Sequence, residues 1–402
     1  MALPLEGIRV VELAAWMAGP ACAAVLSDWG AEVIKMEHPE RGDPLRGILS
    51  IGVIPVGAVN YLWELDNRNK KSLGLDLKHP RGHEVALRLL DASDVFVTNL
   101  QGSELKRLGL DYESLSPARP RLVYAHITGY GELGPHGDRP GFDLAAWARS
   151  GFMLTLGEPD SIPPLSPTGN IDRITAMFTA GAIALALYVR EKTGQGQKVS
   201  SSLLASALWT GGVYTQAASC TRREIPRPSR KTAGNPLYNS YQTQDGRWLV
   251  LIMLQTDLYW QEFCQAIGQP ELARDPRFDS HGKRCGENNQ ALIALLDQVF
   301  ASRSLAQWVQ AFQGRHVLWE PSQTYLQVTA DPQVEANEHL VDFHHPSYGS
   351  GKLVSVPVKF SRTPGAIRQE GPQLGQHTEE VLLELGYSWE EIARLKEAGA
   401  IL

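Results

Sequence analysis

The first 130 or so residues alternate between two periodicities, and that alternation restricts the fold more than any other feature of the chain. Residues 8–13 (IRVVEL) read as a strand buried on both faces. The small-residue turn Ala18-Gly19-Pro20 follows, then a helical stretch to about Trp29, a break at Gly30 and a second strand over 32–37. The pattern repeats: helix around 81–91, strand 95–99, helix around 103–115, strand 121–127. Short strands alternating with helices imply a parallel sheet covered on both faces.

A long uncharged run, 174–189, lies between Arg173 and Arg190. It falls short of the roughly 18–20 residues a membrane-spanning helix needs. Its richness in Ala, Thr and Gly predicts a helix of a large core instead, over about 172–192, with Gly194 as its stop. Beyond residue 217 the texture changes. Residues 221–236 are rich in Pro and Arg and read as a linker, and 238–254 read as a hairpin about Asp245-Gly246. Helices are expected over 257–267, 287–301 and 304–314, strand-like pieces at 351–360, and helix again over 375–399. The expected organisation is a large domain from 1–215 and 330–402, a smaller α+β domain over 225–325, and linkers at 216–224 and 326–329.

Charge narrows the function. Thirty-eight basic against 44 acidic side chains leave a net charge of −6, which argues against a nucleic-acid partner. Four scattered cysteines suggest neither disulfides nor a zinc site and fit a reducing cytoplasm. The N-terminus does not read as a signal peptide, and no metal-binding spacing of histidines occurs. His344-His345, before a proline, reads as a turn.

Gly129-Tyr130-Gly131-Glu132-Leu133-Gly134 formally matches a dinucleotide fingerprint, yet Pro135, Gly137 and Pro140 follow it where a helix would have to open. Gly349-Ser350-Gly351-Lys352 lacks both the first glycine and the closing Ser or Thr of a phosphate loop. Residues 68–81 gather Arg68, Lys70, Lys71, Lys78 and Arg81 against the single acid Asp76, a composition that suits a phosphorylated ligand or a solvated loop. Two acids stand out as candidates for chemistry, Asp143 in Gly141-Phe142-Asp143 and Asp172 at the start of the long helix, where the helix dipole favours an ionised carboxylate. A plain helix-capping role is the alternative.

Taken in order, several short segments resemble the family III CoA-transferases, the group that includes formyl-CoA transferase and carnitine CoA-transferase. They are Leu5-Glu6-Gly7-Ile8-Arg9-Val10-Val11-Glu12-Leu13, Ala18-Gly19-Pro20, Gly30-Ala31-Glu32-Val33-Ile34-Lys35-Met36-Glu37, Asn69-Lys70-Lys71-Ser72-Leu73, Gly129-Tyr130-Gly131, Gly141-Phe142-Asp143, Thr193-Gly194-Gln195-Gly196-Gln197 and Leu374-Gly375-Gln376-His377-Thr378. The resemblance spans almost the whole chain. It implies an α/β fold with a large doubly wound, Rossmann-like domain built from both ends of the chain, a smaller α+β domain, and a homodimer of interlinked rings. It also implies an enzyme that moves CoA from an acyl-CoA thioester to a carboxylic acid. CoA is then a substrate, with no tightly bound cofactor, no metal, no nucleic acid and no membrane partner.

The family's nucleophilic aspartate falls on Asp172, and covalent catalysis there splits one hard exchange into easier steps. A carboxylate of ordinary pKa, near 3.9, would already be ionised at pH 7; its developing oxyanions would need nearby amides. The CoA-contacting positions of the family fall on Met17, Ala18, His38, Leu75, Lys78, Asn99, Leu100, Arg107, Thr128, Gly129 and Tyr130. Departures stand out: Met17 replaces a glutamine, Ile48 a tryptophan, His38 an arginine and Thr128 a lysine of the formyl-CoA enzymes. Leu254-Gln255-Thr256-Asp257 stands where those enzymes have a glycine-rich loop. These changes disfavour oxalate and fit a larger or less polar acid. The α-methylacyl-CoA racemases share the fold and are the alternative. Their two bases include a histidine where this chain has Phe142, and their supporting glutamate aligns with Gln255.

Overall fold

The computed structural model describes residues 3–52, 60–165, 167–345 and 349–402. The chain divides into two compact units, Met1–Met153 with Leu165–Arg222 and Gln333–Leu402, and Leu154–Pro164 with Arg223–Pro332.

The first unit is built on strands β1 (Arg9–Leu13), β2 (Glu32–Glu37), β3 (Lys70–Gly74), β4 (Val95–Thr98), β5 (Val123–Thr128) and β6 (Lys198–Ser202). They form one parallel sheet in the order β3-β2-β1-β4-β5-β6. Its helices in chain order are α1 (Ala18–Asp28), α2 (Tyr61–Asn67), α3 (Pro80–Asp91), α4 (Gly102–Arg107), α5 (Tyr112–Leu115), α6 (Asp143–Arg149), α7 (Asn170–Thr193), α8 (Leu203–Thr210) and α9 (Gly212–Thr221). Alternation along each strand divides the core. Val10, Val33, Val95, Val97 and Val123 face a cluster with α1 and α7. Val11, Ile34, Phe96 and Tyr124 face another with α3 and the C-terminal helices (Thr378–Glu384 and Trp389–Glu397). Both faces of the strands are therefore apolar, as the near-continuous hydrophobic runs require.

Helix α7 is long and apolar enough to cross a membrane by length and composition alone. Its small residues Ala176 and Ala180 are buried in the cluster that holds Ala21 and Cys22 of α1, so side chains without bulk let the two helices meet. Thr175 and Thr179 donate their hydroxyls to the carbonyls of Ile171 and Thr175 and so bury no unpaired polar group. Gly194, in the left-handed region at φ 75°, stops the helix.

Three charged residues of the strands are fully buried. Glu12 on β1 stands beside Lys35 on β2, and Lys70 lies on β3. The Lys35 ammonium is 2.6 Å from Glu12 and 2.8 Å from Asp43, and Lys70 is 2.7 Å from the other Glu12 oxygen. This overturns part of the reading of 68–81 as a ligand-binding basic stretch. Arg68 is held by Asp28 at 2.7 Å, and Lys71 by Glu32, Glu380 and Glu384. Their charges serve internal pairs because each lies in, or next to, a strand facing an acid.

The second unit contains β7 (Tyr238–Gln242) and β8 (Trp248–Ile252), antiparallel across the expected Asp245-Gly246 turn, with β9 (Trp319–Pro321) beside β8. Helices α10 (Thr256–Ala266), α11 (His281–Cys285), α12 (Asn289–Phe300) and α13 (Leu305–Phe312) contribute to its own core, which centres on Phe263, Phe300 and Trp308. Three details differ from expectation. Residues 216–221 are not linker but the end of α9. Residues 154–164 belong to the second unit, because the Arg227 guanidinium donates to the carbonyls of Leu154, Glu158 and Ser161. His344-His345, expected as a turn, lies in a strand (Leu340–His345) paired with Gly349–Val354.

Candidate active site

Strands β1 and β4 are neighbours in the sheet, and from them the strand order runs outward in opposite directions. The connections leave a crevice at their carboxyl ends, the usual place for a ligand in an open parallel sheet. A cavity of about 240 Å³ opens there. The turn after β1 supplies Ala15, Trp16, Met17 and Ala18; the turn after β4 supplies Asn99, Leu100 and Gln101; the end of β5 supplies Thr128 and Gly129; and Asp172 lines the same cavity. Six of the positions assigned to CoA by resemblance, Met17, Ala18, Asn99, Leu100, Thr128 and Gly129, thus share one cavity with the candidate nucleophile.

The turns are held rigidly. The Asn99 side chain accepts from the Ala15 amide at 2.9 Å and donates to the Ala15 carbonyl at 2.7 Å, tying the β4 turn to the β1 turn. Trp16 lies in the left-handed region at φ 66°, which costs a bulky residue about 1–2 kcal/mol. Asp43 holds it there by accepting its amide at 3.1 Å, and Lys35, bound to Asp43, also donates to the Ala14 carbonyl. The buried Glu12–Lys35–Lys70 cluster therefore fixes the loop that faces the cavity. On the other wall, Gly129 and Gly141 meet backbone to backbone: a Cβ on Gly141 would lie 2.7 Å from the Gly129 Cα.

Asp172 stands in the first turn of α7. The helix has no side-chain cap of its own, because Gly169 at φ 71° precedes it. Asp143, buried at the start of α6, takes that role by accepting the amides of Ile171 at 2.6 Å and Asp172 at 3.1 Å. A Cβ on Gly169 would meet the Met17 sulfur at 2.4 Å and lie 3.8 Å from Asp172 Oδ2, so the missing side chain lets thioether and carboxylate approach each other. Among the described residues none donates a hydrogen bond to the Asp172 carboxylate. Burial first, then the charges of Asp143 and Asp66, push its pKa up to about 7, against a smaller opposing pull from Arg173. The expectation of an ordinary, fully ionised carboxylate is corrected: the dipole of α7 acts through amides that Asp143 already occupies. Arg173 is itself turned to Asp66, 2.6 Å away.

The remaining assigned positions do not line the cavity. His38 follows β2, and its Nδ1 accepts from the amides of Glu40 and Arg41. Leu75 buries its side chain in the core of the opposite sheet face, and its amide donates to Glu37. Lys78 is exposed. Arg107 is exposed and lies 3.3 Å from Glu104, itself a lining residue. Tyr130 lies beside the cavity, its ring faced by the guanidinium groups of Arg139 and Arg149 at 5.8 and 5.6 Å. Ile48 is buried behind Met17, in a cluster with Leu45 and Trp63. Gln255 precedes α10 in the second unit.

Among the lining residues that sequence reading missed are Arg139 and Trp16. Arg139 is the one cationic side chain of the described lining, yet it sits one residue before the recognised Pro140-Gly141-Phe142 stretch. Trp16 sits one residue before the assigned Met17; only its backbone conformation singles it out.

The family described as CoA-transferase family III matches residues 5–378. The chain is 34% identical over 395 residues to a cinnamoyl-CoA:phenyllactate CoA-transferase of Clostridium sporogenes, covering 98% of this chain and 96% of that protein. It is 32% identical over 399 residues to an (R)-2-hydroxy-4-methylpentanoate CoA-transferase of Clostridioides difficile, covering 99% of each. A crystal structure of a CaiB/BaiF family protein from Brucella suis superposes with a TM-score of 0.82 at 29% identity, covering 96% of this chain and 100% of that one. Matched along nearly its whole length in sequence and fold, the chain belongs to family III of the CoA-transferases, enzymes that act on CoA thioesters and carboxylic acids.

Proposed function

We propose that Asp172 is the nucleophile of a CoA transfer that runs through two kinds of covalent aspartyl intermediate, mixed anhydride and CoA thioester. An Asp172 oxygen attacks the thioester carbonyl, the C–S bond breaks, and CoA thiolate leaves an acyl-aspartyl anhydride. The thiolate attacks the aspartyl carbonyl, releasing the first carboxylate and forming an aspartyl-CoA thioester. The acceptor's carboxylate attacks that thioester and displaces the thiolate, giving a second anhydride. The thiolate then takes the new acyl group and frees Asp172. One observation carries this reading: a carboxylate with no hydrogen-bond donor among the described residues and a raised pKa lines the same cavity as six positions assigned to CoA. A desolvated carboxylate of higher basicity is the better nucleophile.

In this reading Met17, Ala18, Asn99, Leu100, Thr128, Gly129 and Tyr130 frame the pantetheine and nucleotide. Arg139 supplies the cation for the CoA phosphates that position 128 lacks. His38, Leu75, Lys78 and Arg107 contact CoA only at its outer, nucleotide end, Leu75 through its backbone. The first unit serves as the doubly wound CoA-binding domain. A second copy completes an interlocked homodimer, covering apolar side chains along α7–α9 such as Leu185, Trp209 and Val213, which are 67, 77 and 80% exposed. The four cysteines are free, which supports a cytoplasmic location.

α-Proton exchange fits less well. It needs a second base, and the position that would supply it is Phe142; no imidazole is present in the described lining. The test is intact-protein mass spectrometry after incubation with acyl-CoA esters, with hydroxylamine to trap the acyl-enzyme and peptide mapping to locate it. A hydroxamate on Asp172 is expected. A label on Asp143 would reassign the nucleophile, and α-proton exchange into deuterated water without any adduct would replace the transferase reading.

A further inference from the structure

Part of the wall of the cavity that holds Asp172 is apolar: Met17, Ile127, Leu203, Trp16 and Phe142 line it, beside the polar Asn99, Gln101, Glu104, Thr128, Asp138 and Arg139. Two of these are large aromatic rings in edge-to-face contact, Trp16 and Phe142, with centroids 5.8 Å apart and planes at 82°. Core packing does not account for Phe142, and Trp16 packs only in part, against the cluster of Met17, Leu45 and Ile48. Phe142 is 57% exposed, although it sits next to Asp143, the residue that caps α7 and fixes Asp172. Trp16 is half-buried and held in a left-handed conformation that a tryptophan rarely adopts. Asp43 at its amide, Asn99 at Ala15 and Lys35 at Ala14 all hold the chain in that shape. Backbone strain of this kind, over-determined by its surroundings at a ligand cavity, belongs to positions whose side chain meets the ligand.

We infer that Trp16 and Phe142 form the subsite for the acyl group exchanged on Asp172, and that the acids this enzyme handles carry a bulky apolar group, aryl or branched alkyl, rather than a second carboxylate. This rests on the transferase reading of Asp172. The physical reason is desolvation. An aromatic or branched chain buries apolar surface against the two rings and the Met17 thioether. A distal carboxylate would enter the same walls without a partner and lose its hydration. The one described cation of the lining, Arg139, lies over Tyr130 and, in the reading proposed above, meets the CoA phosphates.

The experiment compares acceptor acids at a saturating acyl-CoA donor: 3-phenylpropanoate and 4-methylpentanoate against acetate and succinate. The expected result is a kcat/KM at least about tenfold higher for the first two. Phe142→Ala is expected to cut that preference at least about fivefold, and Phe142→Leu to cut it for the phenyl acid more than for the branched one. Trp16→Leu is the parallel variant, with Trp16→Phe as the one that keeps an aromatic wall. Equal or better use of succinate or acetate overturns the subsite while leaving the transferase intact. So does a Phe142→Ala enzyme slowed equally on every acid, above all if its dimer dissociates, because the ring would then serve assembly. Failure of every acid, with no adduct on Asp172, overturns the transferase reading and the subsite together.

Discussion

At the scale of single residues, the decisive fact is the burial of Asp172 beside the like charges of Asp143 and Asp66. Its nucleophilic form is the carboxylate, and with a pKa raised to about 7 only about half is ionised at neutral pH. Transfer by the free enzyme is therefore expected to rise with pH through about 7. Asp143 contributes to the upward push, so Asp143→Asn should move that limb to lower pH, alongside a loss from the weakened α7 cap. A kcat/KM profile flat between pH 5 and 8 in the parent enzyme would contradict this. Stability should show the opposite sign. A folded-state pKa above the unfolded value of 3.8 means that the stabilisation belongs to the protonated form, is complete below pH 3.8, and is lost as pH rises through about 7. Asp172→Asn removes that titration. It should be inactive yet more stable by about 1–3 kcal/mol at pH 8, allowing for solvent in the cavity, with the gain vanishing near pH 4. Urea midpoints at the two pH values decide it. Arg139 is testable through substrate truncation. Arg139→Ala should raise KM for an acyl-CoA by about tenfold or more and scarcely change kcat/KM for the matching N-acetylcysteamine thioester, which has no phosphates. An equal loss on both substrates would mean that Arg139 shapes the loop and does not bind phosphate.

At the scale of elements, the site depends on where two loops and one helix end meet. Gly129 closes β5, Gly141 leads into α6, and their Cα atoms approach because neither carries a side chain. Gly141→Ala would drive a methyl into the Gly129 backbone. Backbone cannot yield as a side-chain tip does, so the change is expected to cost about 1–3 kcal/mol and to displace Asp143 from the α7 amides. The expected outcome is a lower denaturation midpoint together with loss of transfer. Full activity at reduced stability would separate the two effects. The periodicities of the first half announced these elements, and the strands over 8–13, 32–37 and 95–99 appear as β1, β2 and β4. The buried charges did not announce themselves. Nothing in one dimension pairs Glu12, Lys35 and Lys70, and only sheet register places Glu12 beside Lys35.

At the scale of the molecule, one surface is incomplete in the single chain. Helix α7 turns one face to α1, while Leu185, Tyr188 and, farther on, Trp209 and Val213 are exposed. Burial of these side chains in a second copy predicts a particle of about twice the 44.2 kDa of one chain at micromolar concentration, with no monomer above nanomolar dissociation. Leu185→Asp and Trp209→Asp should shift sedimentation toward the monomer. A monomeric parent at micromolar concentration would remove the interlocked dimer from consideration.

The order of segments along the chain was enough to determine the α/β class and the family, because both follow from local pattern and spacing, and the resemblance to that family singled out Asp172 from Asp143. What the acid is like was decided only in three dimensions. Its pKa depends first on burial and then on Asp143 and Asp66, which are 29 and 106 positions away in the chain. The membership of the cavity was likewise tertiary. Trp16 and Arg139 enter it while Leu75 turns into the core, since burial and charge pairing depend on which distant segments the sheet brings together.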